Sequence, residues 1–218
     1  MSFYINNNNQ SKPGALNGNP LNALCEKALI EVPKVFDSCI IKKNELVVIV
    51  HAECCNPPNP QKPLTFISAE SSVTERVKVT NVVIDRLNNA PNFANVSCEV
   101  HVPVIITYRD ERGVLGTASG NVKFEESVVL FVPQAALSPV EIKAMAMFSS
   151  VSGSYSGGDD FSINSCCQII LKVVSFVDLL VPSYGYPLLP PSQSTPVQQQ
   201  CAAMFDLPLY PTAETLQR

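Results

Sequence analysis

From Leu24 to about Val181 apolar and polar residues alternate with a period of two, and β-branched residues dominate the apolar positions. That is the pattern of strands with one buried face, because successive side chains of a strand leave opposite faces. The clearest run is Ser97 to Tyr108, where Cys98, Val100, Val102, Val104, Ile106 and Tyr108 share one face while Ser97, Glu99, His101, Pro103 and Thr107 mostly take the other. Asp110-Glu111-Arg112-Gly113 follows, with glycine where a positive φ closes a hairpin, and alternation resumes through Val114, Gly116, Ala118, Gly120, Val122 and Phe124. Further strands are predicted at Ala28 to Ile41, Leu46 to Glu53, Leu64 to Ser68, Val73 to Arg86, Glu126 to Pro133 and Cys166 to Val181, seven or eight in all. One segment reads differently. Ser138-Pro139-Val140-Glu141, continuing to about Met147, has serine as N-cap, proline at the first position and glutamate at the third, which predicts a short helix or turn.

Both ends depart from this pattern. Residues 1 to 24 hold seven asparagines, two glycines and two prolines, and no hydrophobic period appears before Leu21. They read as a flexible arm whose Phe3, Tyr4 and Ile5 offer an apolar anchor for assembly. Residues 182 to 218 carry seven prolines between Pro182 and Pro211 and read as an extended, proline-rich strap. Between them, residues 25 to 181 form the expected domain. Many strands with turn signals between them and almost no helix predict an all-β fold, an antiparallel β-sandwich of jelly-roll type.

Composition narrows the function. Only 16% of the 218 residues are charged, against roughly 25% in ordinary soluble domains. Low charge fits a subunit whose faces are covered by neighbours. The net charge is −4 and the 15 basic residues are scattered, so nucleic acid and anionic membranes are not expected partners. The stretch Gln168 to Tyr186, interrupted by Lys172, Asp178 and Pro182, is too polar to span a bilayer. Met1 to Ile5 and the asparagines after them show no signal-peptide pattern, which predicts synthesis in a cytosol.

Eight cysteines are many for a cytosolic chain of this size, although buried thiols also serve as small apolar side chains. The doublets Cys54-Cys55 and Cys166-Cys167 place neighbouring thiols on opposite strand faces, and a bond within a doublet is strained. Candidates for an intermolecular disulfide are Cys25, Cys54, Cys55, Cys166, Cys167 and Cys201. His51, Cys54 and Cys55 form an H-x-x-C-C cluster, but no second ligand pair stands at zinc-site spacing, so no metal is expected. Asp159-Asp160 lacks the alternating acidic positions of a calcium loop and reads as a turn. His101, on the outward face of its strand, reads as a solvated side chain. No nucleophile elbow, P-loop, dinucleotide fingerprint or H-E-x-x-H is present, so neither catalytic residues nor a cofactor are expected.

Val32-Pro33-Lys34-Val35-Phe36-Asp37-Ser38-Cys39, the strand pair around Asp110 to Gly120, Val128 to Pro133, and Val177 to Tyr186 resemble cysteine-bearing surface proteins of endospore-forming Firmicutes, those of clostridia in particular. More loosely, they are similar to the SPOCS-type β-domain of spore coat morphogenesis. The resemblance covers residues 24 to 190 and lies in strand patterns. It implies a non-enzymatic subunit made in the mother-cell cytosol and exposed to oxidant at the endospore surface after mother-cell lysis. Its expected partners are copies of itself and other spore-surface proteins, in a coat, exosporium or appendage. The alternative is a carbohydrate- or receptor-binding β-sandwich, which two aromatics on one exposed strand face would favour.

Overall fold

The computed structural model describes residues 26 to 134 and 136 to 184. The arm of residues 1 to 24, the tail beyond Tyr184, and with them Phe3, Tyr4, Ile5, Cys25 and Cys201 lie outside the described residues. Eight strands are present and, among the described residues, no helix: β1 (Glu26–His51), β2 (Glu53–Asn56), β3 (Thr65–Ser71), β4 (Lys78–Leu87), β5 (Ala90–Arg109), β6 (Leu115–Phe131), β7 (Glu141–Gly157) and β8 (Asp160–Ser183). The chain divides into two compact units, Val32–Val177 and a second made of Met1–Glu31 with Asp178–Arg218. Of the second unit the described part is the first residues of β1 and the last of β8, where Leu29, Leu179 and Leu180 are exposed.

Within Val32–Val177 the sheet order is β1-β8-β7-β3-β5-β6-β2, with β4 added on β5. β5 and β6 form the expected hairpin, antiparallel and in unbroken register from Phe93↔Phe131 to Arg109↔Leu115. Asp110 closes it: its carbonyl accepts the Gly113 amide at 2.9 Å, its carboxylate accepts the Val114 amide at 2.8 Å, and Gly113 takes the φ of 82° anticipated for it. The alternation of β5 holds. Val100, Val102, Val104, Ile106 and Tyr108 are fully buried, each aliphatic side chain contributing about 1.5 to 3 kcal/mol, and Glu99, His101 and Thr107 face outward.

β3 turns this layer into a sandwich. One edge of β3 pairs with the C-terminal half of β5, from Thr65↔Arg109 to Ser71↔Val104, and the other meets β7 at Glu70↔Ser149. The sheet thereby passes from a β4-β5-β6 layer into a β7-β8-β1 layer. The two layers close on a single apolar core, with the Phe161 ring of β8 stacked on the Tyr108 ring of β5 at 6.3 Å and flanked by Phe66 and Tyr155. The fold is the expected all-β sandwich.

Two local readings are corrected. The segment from Glu141 is a strand and not a helix: Ile142, Ala144, Ala146 and Phe148 turn inward while Lys143, Met145 and Met147 turn outward, a period of two. Its cross-strand register with β8, Glu141↔Val174 to Met147↔Gln168, supplies backbone bonds that a capped helix would have to forgo. Ser138 caps nothing; its hydroxyl bonds the Ser175 hydroxyl and the Phe176 carbonyl, both at 2.8 Å. Ala28 to Ile41 and Leu46 to Glu53, expected as separate strands, belong mostly to one strand, β1, and Glu126 to Pro133, expected apart from the Val114 to Phe124 run, continues that run in β6 as far as Phe131. Glu45, at φ 51°, shifts its parity, so Cys39, Ile41 and Lys43 point inward before it and Val48 and Val50 after it.

Candidate functional site

The six described cysteines are all free thiols, and the fold sorts them by depth. Alternation along β8 splits the second doublet: Cys167 enters the core at 3% exposure and Cys166 lies half-buried on the opposite face. Cys98 of β5 is buried and Cys39 of β1 is packed against the core. All three interior thiols feel the charge of Glu126, a buried carboxylate on the inward face of β6, whose Oε1 lies 3.2 Å from Lys43 Nζ. Burial first, and the Glu126 charge second, push the Cys167 thiol up to about 11. Burial likewise raises Cys98 and Cys39, against a backbone hydrogen bond from Leu171 that draws Cys39 the other way. The interior thiols are held protonated and shielded, and a thiol is a poor nucleophile beside its thiolate.

Cys54 and Cys55 stand in β2, at the end of the sandwich reached by β1. Cys54 is exposed and takes φ 47°; Cys55 is half-buried beside the Tyr108 hydroxyl, which burial raises to about 12. Around them the chain gathers two motifs far apart in sequence. His51 Nδ1 lies 2.8 Å from Asp160 Oδ1, Lys62 Nζ lies 2.7 Å from Asp159 Oδ1, and the Ala52 amide donates to the Asp159 carbonyl. The hydrogen bond to Asp160 raises the His51 pKa, and that to Lys62 lowers the Asp159 pKa. Asp159 lies in the β7-β8 turn after Gly158 and Asp160 opens β8, and their charges are met by Lys62 and His51. Among the described residues no group of three or more His, Cys, Asp and Glu side chains is placed to hold a metal ion. The rim works as a clasp between β1, the β2-β3 connection and the β7-β8 turn.

The two outer faces of the sandwich differ in chemistry. On β5 and β6 the middle of the outward face holds paired polar groups, with exposed Phe93, Leu115 and Val129 beside them: Lys123 bridges Glu99 at 2.9 Å and Glu125 at 3.2 Å, His101 bonds Thr80, and Ser97, Ser127 and Asn95 form a chain. On β1 and β7 the outward positions combine exposed Ile40, Val47, Ile49, Met145 and Met147 with Lys42 and a Lys143–Glu141 ion pair, and Cys166 lies on the same face of β8, opposite Ser149 in the register. Phe93 and Phe131 pair edge to face at 85°, so the aromatics of β5 and β6 do not present two coplanar platforms to a sugar. The sequence doublets and parity anticipated the split of Cys166 from Cys167; the clasp and the buried Glu126 were missed. A glutamate at the inward parity of Val122, Phe124, Val128 and Leu130 was the signal for the latter.

No protein family, curated protein or solved structure matches the chain.

Proposed function

We propose that this chain is a structural subunit, not an enzyme, that assembles with copies of itself into a layer or fibre. The observation that carries this reading is the set of large apolar side chains exposed on the outer positions of β1 and β7, Ile40, Val47, Ile49, Met145 and Met147, with Ile49 73% and Met147 72% exposed. Single exposed apolar residues are ordinary, but five large ones on the outer positions of one layer favour burial against a neighbouring copy. The strand-pattern resemblance to spore-surface proteins supports placing such an assembly at the endospore surface, with other surface proteins as further partners. In that oxidising setting, exposed Cys54 and outward Cys166 are the described thiols positioned to cross-link copies.

Sedimentation velocity and negative-stain microscopy of the full chain, with and without reductant, test the reading. Ordered assemblies that persist in reductant and become covalent on oxidation are expected. A monomer at every concentration under both conditions overturns it.

A further inference from the structure

β4 and β7 each leave one edge open. Among the described residues β4 pairs only with β5, and the stretch of β7 from Glu141 to Met147 pairs with β8 on one side and with no strand on the other. Pairing on that side begins at Phe148, whose amide donates to the Ser71 hydroxyl, and at Ser149, which meets Glu70. Between the two open edges runs a groove of about 760 Å³ lined by Arg76, Val77, Val79 and Val82 on one side and by residues 140 to 146 on the other. Its floor belongs to the core: Val77, Val79, Val140, Ala144 and Ala146 pack against the buried cluster yet remain partly exposed. Two features make this a slot for a strand. The β7 edge offers seven residues of unpaired backbone, about 23 Å at 3.3 Å per residue. Two of the three inward positions on that edge are small, Ala144 and Ala146 beside Ile142, so side chains brought by an added strand have room there.

We propose that the N-terminal segment of a second copy of this chain occupies the groove, pairing along the open edge of β7 and setting Phe3 and Ile5 against Val77, Val79, Ala144 and Ala146. This rests on the self-assembly reading above and names its junction. Added-strand recognition takes affinity from backbone hydrogen bonds and specificity from alternate side chains. Residues 1 to 11 suit both: they contain no proline, so every amide after the first can donate, and no charged side chain, while Phe3 and Ile5 fall on one face at a spacing of two. The groove mouth carries Arg76, Glu141 and Lys143, charges that the uncharged Asn6 to Gln10 run meets with amides that both donate and accept. The 25 residues before β1 reach up to about 80 Å when extended, enough to bridge to a neighbouring sandwich. Proline interrupts the other candidate donor, the tail, leaving residues 197 to 207 as the one long stretch there that could pair, and it carries Asp206.

The test is complementation between two full-length variants in reductant, read by sedimentation velocity and microscopy. Phe3→Asp with Ile5→Asp removes the donor; Ala144→Phe fills the acceptor with an apolar side chain, and Ala146→Arg serves as a second acceptor variant. All are made with Ile49→Lys and Met147→Lys to suppress lateral association through the outer face, and each is expected to stay monomeric where the parent carrying those two changes alone assembles, with unchanged far-UV circular dichroism and melting temperature. An equimolar mixture of a donor and an acceptor variant is expected to form dimers and stop there, since only one of the two possible junctions is intact. Assembly of both variants at the parent's level removes this slot while leaving the subunit reading in place. Assembly by the donor variant alone assigns the groove to another segment, residues 197 to 207 first, and overturns the arm. Absence of dimers in the mixture overturns the second copy as occupant, and a wild type that stays monomeric overturns both readings.

Discussion

Cys54 and Cys167 differ in what surrounds them, and their chemistry should differ accordingly. Exposed Cys54 should react with a water-soluble thiol reagent in the native state, half-buried Cys166 more slowly, and Cys98 and Cys167 only on unfolding; mass-spectrometric mapping of native and denatured labelling checks the order. The interior thiols also tie stability to pH. Folding raises Cys167 from 9.0 to about 11, so the folded chain keeps a proton that the unfolded chain has lost. Stability is intact below pH 9.0 and falls as pH rises toward about 11, by up to about 3 kcal/mol for this thiol. Urea denaturation at two pH values across that window should show the loss, and Cys167→Ala should reduce the difference between them. On the rim, His51 is raised above 6.5 by its hydrogen bond to Asp160. The pair therefore supports the fold below pH 6.5 and lets go as pH rises through the raised value. An NMR titration should place His51 above 6.5 in the wild type and nearer to it in Asp160→Asn; equal values in the two would show that the carboxylate does not hold the ring.

Strands that lie at the centre of the sandwich were legible in sequence because burial of one face writes a period of two, as in β5 and β6. Val102 is fully buried between neighbours of both layers, so Val102→Asp should unfold the domain or cost several kcal/mol, measured by thermal melting. Gly116 belongs to the same hairpin for a different reason. A Cβ there would lie 2.7 Å from the Tyr108 ring, which fills the space over the glycine, so Gly116→Ala should cost about 1 to 3 kcal/mol through displacement of that ring. β7 was not legible, since the local cap signal of Ser138 to Glu141 and the alternation of Ile142 to Phe148 point to different structures, and only the partner strand β8 decides between them. The parity shift at Glu45 was hidden because nothing in the composition of Lys43-Asn44-Glu45 marks a residue of positive φ. The clasp was hidden for a topological reason: His51 and Asp160 are 109 positions apart, and the chain order alone does not show that β1 and β8 are neighbours.

A β-sandwich that exposes Ile40, Val47, Ile49, Met145 and Met147 on the outer positions of one layer poses a solubility problem to the whole molecule, and that yields a prediction separate from the groove. Natural sheets blunt exposed ends with charges, lysine above all. Along β1 the outward positions after Glu45 hold Val47 and Ile49 instead, and β7 adds Met145 and Met147 on the outward face of the same layer. If the face is kept apolar for contact with other copies, charging it should leave the fold alone and act on association. Ile49→Lys with Met147→Lys is expected to change the melting temperature of the dilute monomer little, because exposed substitutions away from special features fall within about 0.5 kcal/mol. The same pair should weaken lateral association, seen as thinner or separated assemblies in negative stain, with a dependence on salt that the wild type lacks because the new like charges repel through a screened medium. A control at the paired face, Ser127→Lys, adds charge without touching the apolar set and should leave assembly width unchanged. Equal effects from both faces would mean that net charge, not the apolar face, governs association; a large drop in melting temperature for the double variant would mean that Ile49 and Met147 support the sandwich from outside and are not kept for a partner.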